Sequence, residues 1–170
     1  MQSFLSYLNE SLLFRNFVEV LNGLDNTLLL LVISLPIGFI LSLIFALGRV
    51  STNKFISKTI ASYIFVIRGT PLLVQIYLIY FGLGSIEFIR ESFLWYLLKE
   101  PFWCGVLALT INTVAYGSEI FRGGIQSVTK GQIESGLSLG FNKITLLQKI
   151  IFPIALRKVL PSYGNELILM

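Results

Sequence analysis

Side chains able to do chemistry are few in this sequence, and they stand where such groups are costly. Arg68 is the lone charge in a long apolar stretch, inside Arg68-Gly69-Thr70-Pro71, and Gln75 follows two helical turns on. In another apolar stretch Asn112, Thr113, Tyr116 and Glu119 recur three to four residues apart, the spacing that draws a polar stripe along one helix face. Ionisable groups within a membrane face a bundle interior or water, so they are function candidates by default. Arg68, Thr70, Gln75, Asn112 and Glu119 are accordingly the candidate lining of a path for a polar solute. Most have a blander role as well. Arg68 can contact a substrate carboxylate or act as a gate, but donation to carbonyls freed by the Gly69–Pro71 break is the preferred reading, because such a break demands donors. Asn112 and Thr113 suit helix-to-helix bonding as well as a path, and Glu119 can be solvated or pair with Arg122 at i+3.

Catalysis is not expected. The chain has no His and one Cys, Cys104, which removes His-based metal sites, Cys–His chemistry and any internal disulfide. No nucleophile has an obvious base, and Cys104 reads as a small buried hydrophobe. No glycine-rich phosphate loop of the Walker type occurs, so neither ATP nor another cofactor is expected on this chain. No nucleic-acid partner is expected either.

The elements that must position these groups follow from composition. Of the 170 residues, 55% are hydrophobic and 13% charged, against about 25% charged in soluble domains, which points to an integral membrane protein contacting lipid. Residues 1–23 carry Phe4, Leu5, Leu8, Leu12, Phe17 and Val20 at helical spacing with Glu10, Arg15 and Glu19 between them, the pattern of an amphipathic interfacial helix. No basic stretch precedes the first apolar run, which argues against a signal peptide. Residues 24–48 form span 1: Thr27 to Gly48 is free of charge, enough at 1.5 Å per residue to cross a core of about 30 Å. Span 2 covers 59–83 and is expected to be discontinuous at Gly69 and Pro71. Span 3 covers 101–121, a polar loop 122–149 follows, and residues 150–170 begin a fourth apolar segment. The fold class is thus all-α, a polytopic membrane helix bundle forming one domain.

Loop charges set its orientation. The 49–58 link holds Arg49, Lys54 and Lys58 with no acid, and 122–149 holds Arg122, Lys130, Lys143 and Lys149 against Glu134. The stretch before span 1 and the 84–100 loop have at least as many acids as bases. The positive-inside rule therefore puts the amino terminus outside and the two basic loops in the cytoplasm.

Within the second basic loop, Gln132 to Leu139 has helical spacing, with Ile133, Leu137 and Gly140 or Gly136 on one face, and Gly140 is placed to stop the helix in a left-handed conformation. Such a short helix with a thin apolar face is made to dock into a groove of another protein. The stretch resembles the EAA loop of bacterial ABC-transporter permeases. Glu134 is followed by the small Ser135 and Gly136, then Gly140, Ile150 and Pro153 at the spacing of that motif, with Ser-Gly standing where two Ala are usual. Leu21-Asn22-Gly23 with Thr27-Leu28, Arg68-Gly69-Thr70-Pro71-Leu72-Leu73-Val74-Gln75 with Tyr80-Phe81-Gly82-Leu83, and Pro161 with Asn165-Glu166 are similar to the first, second and fourth spans of the polar amino-acid permeases, which import histidine, glutamine, glutamate, arginine or opines.

That resemblance implies a permease subunit in the bacterial inner membrane, not an enzyme. A cytoplasmic ATP-binding subunit would dock on Gly131, Gln132, Glu134, Gly136, Gly140 and Pro153, holding the ATP itself. A periplasmic or lipid-anchored amino-acid-binding protein would deliver substrate, and a second permease copy or a paralogue would complete the path. Family members continue beyond the Asn-Glu stretch, so the stop at Met170 reads as a C-terminal truncation. An ion-coupled secondary transporter or channel and an inactive remnant are the competing readings. The first would need mid-depth acids, which these spans lack.

Overall fold

The computed structural model describes residues 2–169, with side chains from Asn16 to Ile168 apart from 18, 22 and 167. Every regular element among them is helical. In order they are α1 (Gln2–Arg49), α2 (Lys54–Arg68), α3 (Leu72–Tyr77), a π turn (Leu78–Gly82), α4 (Leu83–Ser85), α5 (Glu87–Arg90), α6 (Trp95–Leu98) and α7 (Pro101–Gln126), then α8 (Lys130–Ser138), α9 (Lys143–Leu146), a second π turn (Leu147–Ile151) and α10 (Phe152–Leu169).

Among the described residues two helices, Glu19–Arg49 and Pro101–Gln126, are long and apolar enough to cross a membrane, and a third crossing exists if the bent pair Lys54–Arg68 and Leu72–Ser85 counts as one. Phe152–Leu169 is not among them: Arg157, Lys158 and Glu166 dilute its apolar run. The expected division at residue 23 is absent, because one helix runs from Gln2 to Arg49 through Pro36. The side chains of the first 15 residues, on which the amphipathic reading of 1–23 rests, lie outside the described ones. The 49–58 link is shorter than expected, since Asn53 Oδ1 caps α2 by accepting from the Phe55 and Ile56 amides at 3.0 and 3.4 Å. Pro101, which needs no amide donor in the first turn, opens α7, and this helix passes the predicted end at 121 to reach Gln126.

α7 is the axle of the bundle. Its most apolar window is 61% buried, against 17% for α1, because α1, α2, α3 and α10 all pack on it. α1 lies parallel to it along a seam of small residues. Ser34, Gly38, Ser42 and Ala46 stand four apart and are all buried, the small-xxx-small arrangement that lets helix backbones approach in a membrane. A methyl group at Gly38 would fall 2.6 Å from Thr113 Cγ2, and Ser42 Oγ donates to the Thr113 carbonyl at 3.2 Å. α10 runs antiparallel to α7, with Val159 and the Ala155 carbonyl against Gly124 and Tyr163 edge-on to Phe39, their centroids 5.2 Å apart. A parallel α1–α7 pair requires one return crossing between them, and the α2–α4 segment supplies it.

Candidate functional site

The return segment breaks after Arg68, and its two halves lie 103° apart. Gly69 and Thr70 make the last backbone bonds of α2, to the Phe65 and Ile67 carbonyls at 3.0 and 3.3 Å, and Pro71 starts the next piece in extended geometry. The broken turn leaves carbonyls that lipid cannot satisfy. Gln75 satisfies them: its Nε2 lies 2.8 Å from the Ile67 carbonyl, 3.0 Å from that of Thr70 and 2.9 Å from Thr70 Oγ1. Thr70 Oγ1 in turn donates to the Val66 carbonyl at 3.1 Å. Gln75 Oε1 then accepts from Asn112 Nδ2 at 3.2 Å, tying the break to α7. The donor role expected of Arg68 therefore belongs to Gln75, whose side chain folds back over the break.

Arg68 instead lies over the face of Tyr116, its guanidinium carbon 4.9 Å from the ring centroid. It forms no hydrogen bond or ion pair with the described residues. Arg68, Thr70, Leu72, Asn112, Tyr116 and Glu166 line a cavity of about 510 Å³. A second cavity of about 460 Å³ adjoins it, lined by Arg49, Ala61, Phe65, Arg68, Tyr116 and Glu119. At 1.5 Å per residue, Arg68, Asn112 and Glu166 each lie about 20 Å along their helices from the end of the bundle marked by Arg49 and Gln126. Three elements thus bring a cation, an amide and a carboxylate to one depth.

The polar stripe of α7 divides between two faces. Asn112, Tyr116 and Glu119, at i, i+4 and i+7, face the cavities, whereas Thr113 turns toward α1 and Gly38. Glu119 has both oxygens engaged. Oε1 accepts from Arg49 Nε at 3.2 Å and Oε2 from Arg122 Nε at 2.8 Å, so it is a clamp joining α1 to α7 at the wall of the second cavity. Arg49 Nη1 also donates to Ser57 Oγ at 3.2 Å, which brings the start of α2 into the same cluster. Gln75 and Asn112, each under a tenth exposed, bond to each other at the back of the site.

Beyond α7, the predicted loop 122–149 is mostly helical. Thr129 and Gln132 form a capping box that opens α8: the Gln132 amide donates to Thr129 Oγ1 at 3.4 Å and the Thr129 amide to Gln132 Oε1 at 3.0 Å. Gly140, at φ +76°, ends it in a Schellman motif, with Phe141 N bonded to the Gly136 carbonyl at 3.1 Å and Gly140 N to that of Leu137 at 2.9 Å. Gly136 is buried under Leu146 Cδ1 and Ile150 Cδ1, which would lie 2.5 and 2.6 Å from an added methyl group. The inward face is thus Ile133 with Gly136, the expected alternative to Gly140, and Leu137 is not part of it. Glu134, Leu137 and Leu139 point outward, the two leucines 52% and 73% exposed. Gly131 is exposed and Pro153 is half-buried just after the second π turn; a wide turn accommodates a ring that has no amide to give.

Of the expected path residues, Arg68, Thr70 and Asn112 share the first cavity, Gln75 braces it and Glu119 walls the second. Sequence reasoning missed Arg49, the seam from Ser34 to Ala46, and Glu166, an acid at the depth of Arg68 where the spans were expected to hold none. The four-residue spacing of small residues was the one signal available for the seam.

Residues 13–170 match the family described as binding-protein-dependent transport system inner membrane component. The chain is 46% identical over 160 residues to the nopaline transport system permease protein NocM of Agrobacterium fabrum, covering 94% of this chain and 66% of that one. It is 42% identical over 159 residues to the arginine ABC transporter permease protein ArtM of Haemophilus influenzae, covering 93% and 70%. With the histidine/lysine/arginine/ornithine transport system permease protein HisM of Escherichia coli it shares 45% identity over 149 residues, covering 87% and 63%. It therefore spans about two thirds of the length of these relatives. A solved structure, an amino acid ABC transporter with histidines, superposes with a TM-score of 0.77 at 40% identity, covering 94% of this chain and 71% of that one.

Proposed function

The chain belongs to the family of binding-protein-dependent transport system inner membrane components, and on that premise we propose that it is a permease subunit of an ATP-driven importer of polar amino acids. The observation that carries this reading is the first cavity. An α-amino acid is a zwitterion, and the lining offers Arg68 to a carboxylate and Glu166 to an ammonium group, with Asn112 between them in chemistry if not in charge. Among the described residues neither charged group is spent on an ion pair. A cavity of about 510 Å³ is within the size range of small-molecule sites.

The remaining parts fit that role. The basic links put the Arg49 and Gln126 end in the cytoplasm and the amino terminus outside. α8 then stands on the cytoplasmic side, with Glu134, Leu137 and Leu139 as the docking face for a separate ATP-binding subunit. A solute-binding protein supplies substrate from outside, and a second permease copy or paralogue closes the side of the path that this chain leaves open.

The test is uptake of radiolabelled L-arginine and L-histidine by proteoliposomes holding the full-length protein with its ATP-binding and solute-binding partners. Uptake is expected to require ATP and to fall at least about ten-fold for Glu166→Gln, the loss of one charge-assisted contact. Uptake that ignores ATP overturns the importer reading, and uptake that ignores Glu166→Gln overturns the assignment of the cavity.

A further inference from the structure

The two polar cavities lie in series along α7. The first touches Asn112 and Tyr116, and the second touches Tyr116 and Glu119, one turn nearer the Arg49 end. Arg68, Gly69 and Tyr116 line both, so the cavities meet where the exposed Arg68 side chain folds over the Tyr116 ring at 4.9 Å. The backbone on which Arg68 sits is held: Gln75 and Thr70 brace the break directly after it. The side chain is not held. Arg49 and Arg122 are both tied to Glu119, whereas among the described residues Arg68 has only the face of a ring, a contact that is electrostatic but non-directional compared with an ion pair.

We propose that Arg68 lying on Tyr116 is a side-chain partition between an outer and an inner aqueous chamber of the transport path. It opens when an anionic group entering the outer chamber draws the guanidinium off the ring. A carboxylate competes well because it offers a charged, bidentate partner in place of a π face. The geometry thus makes Arg68 the moving part on a braced hinge, and the entry of the solute's own carboxylate the signal that moves it. This inference rests on the importer reading for the nature of the solute and for which chamber is outer.

Accessibility to a charged, membrane-impermeant thiol reagent tests it. The full-length protein, assembled with its partner subunits, carries Cys104→Ala and Ala61→Cys, the latter on the inner chamber. In inside-out vesicles the new thiol should react readily. In right-side-out vesicles it should be protected, and Tyr116→Ala should raise its labelling rate from that side at least ten-fold while Tyr116→Phe, which keeps the ring face, should not. Arg68→Ala opens the same route and replaces Tyr116→Ala if that variant does not assemble. Three results overturn the partition: equal labelling from outside with and without the Tyr116 ring, no labelling from inside, or opening by Tyr116→Phe as large as by Tyr116→Ala. None of these depends on uptake, so loss of ATP-driven uptake with intact side-specific labelling would sink the importer reading and leave the partition standing.

Discussion

Gln75 shows what one residue can contribute to a broken membrane helix. Two carbonyls and a hydroxyl at the break sit within 3.0 Å of its Nε2, and its Oε1 takes a bond from Asn112. Gln75→Leu keeps the bulk and removes all of these partners at once. The Ile67 carbonyl keeps its bond from the Thr70 amide, but the Thr70 carbonyl and the buried Asn112 amide lose their bonds to Gln75. Leaving such groups unpaired costs about 1–3 kcal/mol, so the expected outcome is a clear drop in the thermal unfolding midpoint of the detergent-solubilised protein. A second consequence follows for Arg68. With the break relaxed, the contact with Tyr116 loses its fixed base, so Gln75→Leu should also reduce uptake without touching the solute. An unchanged midpoint would show that the break is held by something other than this side chain. The glutamine and the break were both visible in the sequence. Their partnership was not, because the fold-back of one side chain across a 103° bend leaves no spacing signal.

At the scale of elements, the α1–α7 seam decides how closely the two long helices approach. Gly117 faces Ser42 Oγ and Tyr163, and Gly38 faces Thr113. Gly117→Val would force a branched side chain against Ser42 and the Tyr163 ring, where overpacking costs about 1–3 kcal/mol. Since α10 reaches the same spot through Tyr163, the variant should lower stability and expression together, whereas Gly123→Val, with nothing within 4 Å of an added methyl group, should fold normally. Equal behaviour of the two variants would sink the seam as a determinant of packing. Helix type, the start of α7 at Pro101 and the stop of α8 at Gly140 were legible locally, since proline, caps and left-handed glycine act within a turn of themselves. The inward face of α8 was not: Ile133, Gly136 and Leu137 are all compatible with a thin apolar stripe, and only the position of Leu146 and Ile150 decides that Gly136 is the buried one.

For the whole molecule, the cluster around Glu119 links the ends of α1, α2 and α7 beside the inner cavity, while α8 projects past that end with its leucines outward. Motion imposed on α8 by a partner would reach the cavities through α9, the second π turn and α10, which packs on α7 at Gly124 and Tyr163. Glu134→Arg reverses a charge on the exposed face and touches nothing inside. Co-purification with the ATP-binding subunit should therefore fall at least about ten-fold while the permease's own unfolding midpoint stays within about 2 °C, as expected for a surface substitution within ±0.5 kcal/mol; an intact complex would remove α8 as the docking element. The sequence by itself determined that this is a helical membrane protein, which of its links are basic, where its second span breaks, and where the helix after α7 stops. Each of these is written in composition or in spacings shorter than one helix. Tertiary structure alone decided that Gln75 staples the break, that Glu119 is a clamp, and that Arg68, Asn112 and Glu166 meet at one cavity. Those outcomes depend on the depth and rotation at which separate helices pack around α7, and helices far apart in the chain have no local pattern that records their common depth.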